Sequence, residues 1–118
     1  PISPPADDAE FLRRAWLDFI GEIPPAAEVR TFLADQSPDK RSKLIDRLLA
    51  DPRYPARMAD LFHLMLMERL GDSPQWAAYL KKAFAENRPW DKMAAEMLRA
   101  DPAADGAAFF LSKRLENY

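Results

Sequence analysis

At Ser37-Pro38, Asp51-Pro52 and Ser73-Pro74 the chain sets a hydroxyl or carboxylate side chain just before a proline. Apolar residues three and four apart follow two of these pairs as clean stripes: Leu44, Ile45, Leu48 and Leu49 after the first, and Trp76, Leu80, Ala83 and Phe84 after the last. Proline is tolerated at the first position of a helix, where its missing N–H has no partner to lose. The oxygen before it can accept from the free amides of the first turn. Spacings of three and four bury one side of a helix and neither face of a strand. The pattern therefore predicts helices that start at marked positions. Asp51-Pro52 opens one that is irregular until Pro55 and runs over about 56–70.

The same logic covers the rest of the chain. Asp7 with Glu10 three residues on resembles a capping box, with acid where the helix dipole favours it. Leu12, Ala15, Trp16, Phe19 and Ile20 then predict a helix over 8–20, stopped by Gly21. Pro24-Pro25 turn the chain, and Val29, Phe32 and Leu33 mark a short helix to about Asp35. Pro89 begins another, with Trp90, Met93, Ala94, Met97 and Leu98 on its stripe, and Ala107 to Leu115 is expected to be helical too. Its partner surface is expected beyond Tyr118. No period-two alternation appears, so strand content should be near zero. The predicted fold is all-α: a compact bundle of about six helices, residues 7–118 forming a single helical domain behind a linker stub at 1–6. Leu61 to Met67 is apolar on almost every face, which places the fourth helix, about 56–70, at the centre.

Composition narrows the function classes. The 118 residues are 48% hydrophobic and can bury a core without staples. Seventeen basic and 19 acidic residues are mixed along the chain, and the formal charge is −2. Such a balance supplies no long-range field for phosphate backbones or anionic lipid, so no nucleic-acid partner is expected. No cysteine is present, which removes disulfides, thiolate metal sites and a cysteine nucleophile together. No apolar run approaches the roughly 18 residues of a bilayer span. The apolar segment of the fourth helix is short and flanked by Arg57, Asp60, Glu68 and Arg69, so no membrane insertion is expected.

Individual side chains suggest chemistry only weakly. His63 is the one histidine, and Met67 lies four residues on, a pair of types that can ligate haem iron. Two ligands on one helix face cannot reach an iron from opposite sides of a porphyrin, so a packed histidine is the better reading. Met65/Met67 and Met93/Met97 offer thioethers of the kind that select Cu(I), yet methionine is also the usual filler of irregular interiors. Arg14/Asp18 and Asp39/Lys43 stand four apart as surface ion pairs. Gly21, Gly71 and Gly106 are too scattered for a phosphate-cradling loop, and His63 has no nucleophile context. Arg13-Arg14 near Trp16, and Arg88-Pro89-Trp90, put cations beside rings as single-strand binders do, but both tryptophans fall on core stripes. No residue is assigned a catalytic, cofactor-binding or metal-binding role, and no cofactor is expected.

Several segments together carry a family resemblance. Phe11-Leu12-Arg13-Arg14-Ala15-Trp16-Leu17-Asp18-Phe19-Ile20-Gly21 is followed by Ile23-Pro24, Glu28-Val29 and Phe32-Leu33-Ala34-Asp35. The stretch from Ser37 to Tyr54 and the turn Asn87-Arg88-Pro89-Trp90-Asp91 continue the match over about residues 10–100. The chain resembles the planctomycete-type cytochrome-c-associated domain, second type, a domain of unknown function. The resemblance implies a large exported bacterial protein, often with a c-type cytochrome domain alongside, and hence an extracytoplasmic location. It also implies a Cys-x-x-Cys-His-like segment further downstream, so that this chain would be the N-terminal part of a longer domain. The expected function is a non-catalytic helical scaffold or interaction module whose partners are other domains of the same protein or a protein partner. The alternatives are one half of an enzyme or electron-transfer domain whose chemistry lies in a missing C-terminal part, and, third, a small-ligand or metal binder.

Overall fold

The computed structural model describes residues 4–68, 70–101, 103–104 and 106–115. Residues 1–3 of the expected linker stub lie outside them. Seven helices follow one another: α1 (Asp8–Phe19), α2 (Ala26–Ala34), α3 (Lys40–Leu49), α4 (Tyr54–Met67), α5 (Pro74–Ala85), α6 (Trp90–Arg99) and α7 (Ala108–Leu115). No strand occurs among the described residues. The all-α expectation holds, with one helix more than the six foreseen.

Backbone contacts divide the chain into two compact units, Pro1–Tyr54 and Pro55–Tyr118, the boundary falling in the first turn of α4. Each unit has its own apolar centre.

In the first unit, α1 starts as its capping box predicts: Asp7 Oδ1 accepts from the Glu10 amide at 2.8 Å. The helix buries Leu12, Ala15 and Trp16, and Gly21 ends it at φ 83°, a left-handed conformation in which a Cβ would be strained. Its amide bonds back to the carbonyls of Trp16 and Leu17. Phe32 of α2 and Leu44 and Leu48 of α3 close over this stripe, and Phe11 stacks on Phe32 with centroids 6.4 Å apart. The start of α3 differs from expectation. Ser37 caps nothing, because its hydroxyl is spent on Asp35 Oδ1 at 2.5 Å, and Asp39 occupies the cap position without a side-chain bond.

In the second unit, α5 begins as its Ser-Pro pair predicts, with Ser73 Oγ accepting from the Trp76 amide at 3.5 Å and proline in the first turn. Trp76, Tyr79, Leu80 and Ala83 of α5 pack with Met93 and Met97 of α6, Met67 of α4 and Ala107. Trp76 sits among aromatic neighbours, stacking on Tyr79 and Phe110 at 5.7 and 6.3 Å. Gly106 approaches α5 so closely that a Cβ there would lie 2.2 Å from the Gln75 carbonyl oxygen. Arg114 of α7 donates back to the Leu66 carbonyl.

The enclosed central helix is the expectation that fails. Of α4 only Ala59 and Met67 are buried, while Leu64 and Met65 are each 61% exposed. A helix apolar all round tells nothing about which of its sides has a neighbour, and here one side has none within the described residues.

Candidate functional site

Two clusters in the second unit bring half-buried polar groups together. At the first, the Tyr79 hydroxyl donates to Glu96 Oε2 at 2.8 Å, and Arg88 Nη1 donates to the same oxygen at 3.0 Å. Arg88 Nη2 reaches Glu86 at 2.7 Å, and its guanidinium lies 5.8 Å from the Tyr79 ring centre. Burial, and then the hydrogen bond to the Glu96 carboxylate, push the Tyr79 hydroxyl well above the ordinary phenol range. Tyr79 is thus held protonated, a donor rather than a base. Donating to the Glu86 carboxylate, and then to that of Glu96, keeps Arg88 firmly charged. A pocket of about 170 Å3 opens beside them, lined by Ala78, Tyr79, Lys82, Arg88, Ala103 and Ala104. The cluster ties the end of α5 to α6 and holds no nucleophile beside a general base.

At the second place stands His63. Trp76 Nε1 donates to His63 Nδ1 at 3.1 Å. An indole N–H can only donate, so Nδ1 must carry the lone pair and Nε2 the proton. Neither ring nitrogen then has a lone pair free for a metal. A pocket of about 180 Å3 touches His63 together with Ala59, Asp60, Asp72, Ser73 and Ala77. Ser73 is engaged elsewhere: it caps α5 and donates to Gln75 Oε1 at 2.8 Å. Among the described residues no group of three or more His, Cys, Asp or Glu side chains could hold a metal ion.

The paired methionines separate on folding. Met67 is wholly buried and Met65 points outward, so the two do not share a site; Met93 and Met97 both lie in the core of the second unit. The cations also find partners other than those adjacent in sequence. Arg53, not Arg13 or Arg14, lies over the Trp16 ring at 5.3 Å from its centre. Trp90 meets Phe62 edge-on at 5.5 Å, and at 51% exposure it is not the core residue its stripe suggested.

In the first unit the polar groups brace the helices. Lys40 Nζ donates to the Asp35 carbonyl at 2.8 Å, at the carboxyl end of α2, and pairs with Asp8 at 2.7 Å. Arg41 Nε donates to Asp8 at 2.9 Å and its Nη2 to the Ala6 carbonyl. Hydrogen bonds from Lys40 and Arg41 hold the Asp8 carboxyl below the usual carboxylate range. The Arg53 guanidinium and then its backbone amide bring Asp51 down to about 2. Arg47 pairs with Glu28, and Asp39 with Lys43 at 3.0 Å as expected. Arg14 turns to Glu10 rather than to Asp18. An acid one turn N-terminal to its base is the better-oriented pair, and the helix dipole favours Glu10 in the first turn.

Two buried side-chain nitrogens, Trp16 Nε1 and Arg57 Nε, have no hydrogen-bond partner among the described residues, and several large apolar side chains stand uncovered at the surface. Leu64 and Met65 on α4 and Trp90 and Leu98 on α6 each present half or more of their surface. Trp90 and Leu98, eight residues apart, share one side of α6, and Trp90 joins α4 through Phe62. No helix among the described residues is long and apolar enough to cross a membrane.

No curated protein and no solved structure matches the chain significantly. The family model for PSCyt2, described as a protein of unknown function (DUF1549), matches residues 1–117, nearly the full length, and the chain belongs to that family.

Proposed function

We propose that this chain is a non-catalytic helical scaffold or interaction module of a larger exported, cytochrome-linked bacterial protein, and that its exposed apolar side chains pack against the other domains of that protein. The observation that carries the reading is the exposure of Leu64, Met65, Trp90 and Leu98 on two helices of one unit. Single exposed leucines are ordinary, whereas four large apolar side chains on adjoining helices suit a surface that another domain covers. The polar clusters support the same reading, because their hydrogen bonds run between helices and brace the fold. Export and the link to cytochromes rest on the family resemblance alone.

Charged substitutions test the proposal. Leu64→Asp with Leu98→Asp should leave the thermal unfolding of this chain alone nearly unchanged, since both sites are already solvated. In the full-length protein the same pair should lower the unfolding temperature or free this module from its neighbours in limited proteolysis. Equal behaviour of variant and parent in the full-length protein would count against the proposal. Haem or metal in the full-length protein but not on this chain would favour the rival reading of a half-enzyme, whereas haem or metal on this chain alone would favour a small-ligand or metal binder.

A further inference from the structure

The structure assigns to Met65 the role of a selective oxidation site, the thioether that a peroxide reaches first. Thioether oxidation follows access to the sulfur. Met67, Met93 and Met97 are 0%, 1% and 3% exposed, against 61% for Met65, and Met58 is half-buried. Met65 and Met67 share one helix two residues apart, yet two residues turn the side chain by about 200° at 3.6 residues per turn. One therefore meets solvent and the other the core. The contrast belongs to the fold, not to local sequence.

The step balances with a peroxide as the named oxidant. A sulfur lone pair attacks one peroxide oxygen and an S–O bond forms as the O–O bond breaks. The sulfur loses two electrons and the peroxide gains them, and the second oxygen leaves as water after taking up the proton. The product sulfoxide at Met65 projects into water, which hydrates its S–O dipole. The same dipole at Met67 or Met93 would be buried among apolar side chains without a donor, at a cost to folding. Oxidation at Met65 is thus tolerated where oxidation elsewhere is damage, and it makes polar one residue of the Leu64–Met65 surface. The assignment applies to this chain with the Leu64–Met65 side of α4 open; where another domain covers that side, as proposed above, Met65 is shielded and its preference should fall.

Time-resolved mass spectrometry of this chain in excess hydrogen peroxide tests it. Met58, Met65 and Met67 fall between Arg57 and Arg69, in one tryptic peptide, so fragment ions must locate each oxygen. The first oxygen should enter at Met65, about tenfold faster than at Met67, Met93 or Met97 and a few-fold faster than at the half-buried Met58. Met65→Leu should lose this fast addition while keeping its helical circular dichroism. In guanidinium the preference should vanish. A first oxygen at Met58, Met67, Met93 or Met97 overturns the assignment, as does an undiminished first addition in Met65→Leu or a preference for Met65 that survives unfolding.

Discussion

Trp76 and His63 are joined across α5 and α4 by a single hydrogen bond of 3.1 Å from the indole Nε1 to the imidazole Nδ1. The indole is fully buried at the centre of the second unit's core, so its N–H has no other outlet, while the imidazole is only half-buried. The two ends of the bond are therefore unequal. Removing the acceptor with His63→Ala strands a buried donor and should cost about 1–3 kcal/mol. In a Trp76→Phe background the same change should cost less, because no donor remains to be stranded. Denaturant unfolding of the two single variants and the double variant, followed by circular dichroism, gives the coupling. Full additivity would contradict the bond's structural role.

Backbone conformation around α6 and α7 gives a prediction with two signs. Ala100 ends α6 at φ 50°, a left-handed conformation that costs an L-residue roughly 1–2 kcal/mol. Ala100→Gly should therefore stabilise the chain, by about 0.5 kcal/mol once the greater freedom of the unfolded glycine is subtracted. Gly106, at φ 91°, carries the opposite constraint, because an added Cβ would strike the Gln75 carbonyl. Gly106→Ala should destabilise by about 2 kcal/mol or more through strain and loss of the close approach to α5. Denaturation midpoints that move together, or in the reverse directions, would contradict the described turns.

Acid should weaken the first unit in a defined window. Asp8, Asp35 and Asp51 are all held below their ordinary range, by Lys40 and Arg41, by the Ser37 hydroxyl and amide, and by Arg53 respectively. A carboxyl whose folded pKa lies below its unfolded value binds fewer protons when folded. Its contribution is complete above the unfolded value of about 4 and is lost as pH falls toward about 2. Urea midpoints monitored through Trp16, in a chain with Trp76 and Trp90 replaced by Phe, should fall over that range. Asp51→Asn should flatten part of the decline. A parent curve flat between pH 4 and pH 2 would rule out these pairings as contributors.

Much of this architecture was legible because local chemistry specifies it. Asp7 and Ser73 cap the helices their positions predicted, Gly21 stops α1, and the stripes of α1, α3 and α5 bury Leu12, Leu44, Leu48 and Leu80. Ser37 misled because Asp35, two residues back, competes for its hydroxyl. The run from Leu61 to Met67 misled for a deeper reason. Uniform hydropathy erases the face information that periodicity normally carries, so the exposure of Leu64 and Met65 could come only from the tertiary arrangement. Partners distant in sequence were equally invisible: nothing near Trp16 announces Arg53, and nothing near Trp90 announces Phe62. The sole histidine drew notice as a ligand candidate, but its donor, Trp76, lies on the next helix.

Hydroxyl-radical footprinting of the full-length protein beside this chain tests the central claim, that the apolar sides of α4 and α6 are covered by the protein's other domains. In this chain alone Leu64, Trp90 and Leu98 should label strongly and Leu12, Leu44 and Leu80 hardly at all. In the full-length protein the first three should become protected. Undiminished labelling of Leu64, Trp90 and Leu98 there would contradict the account.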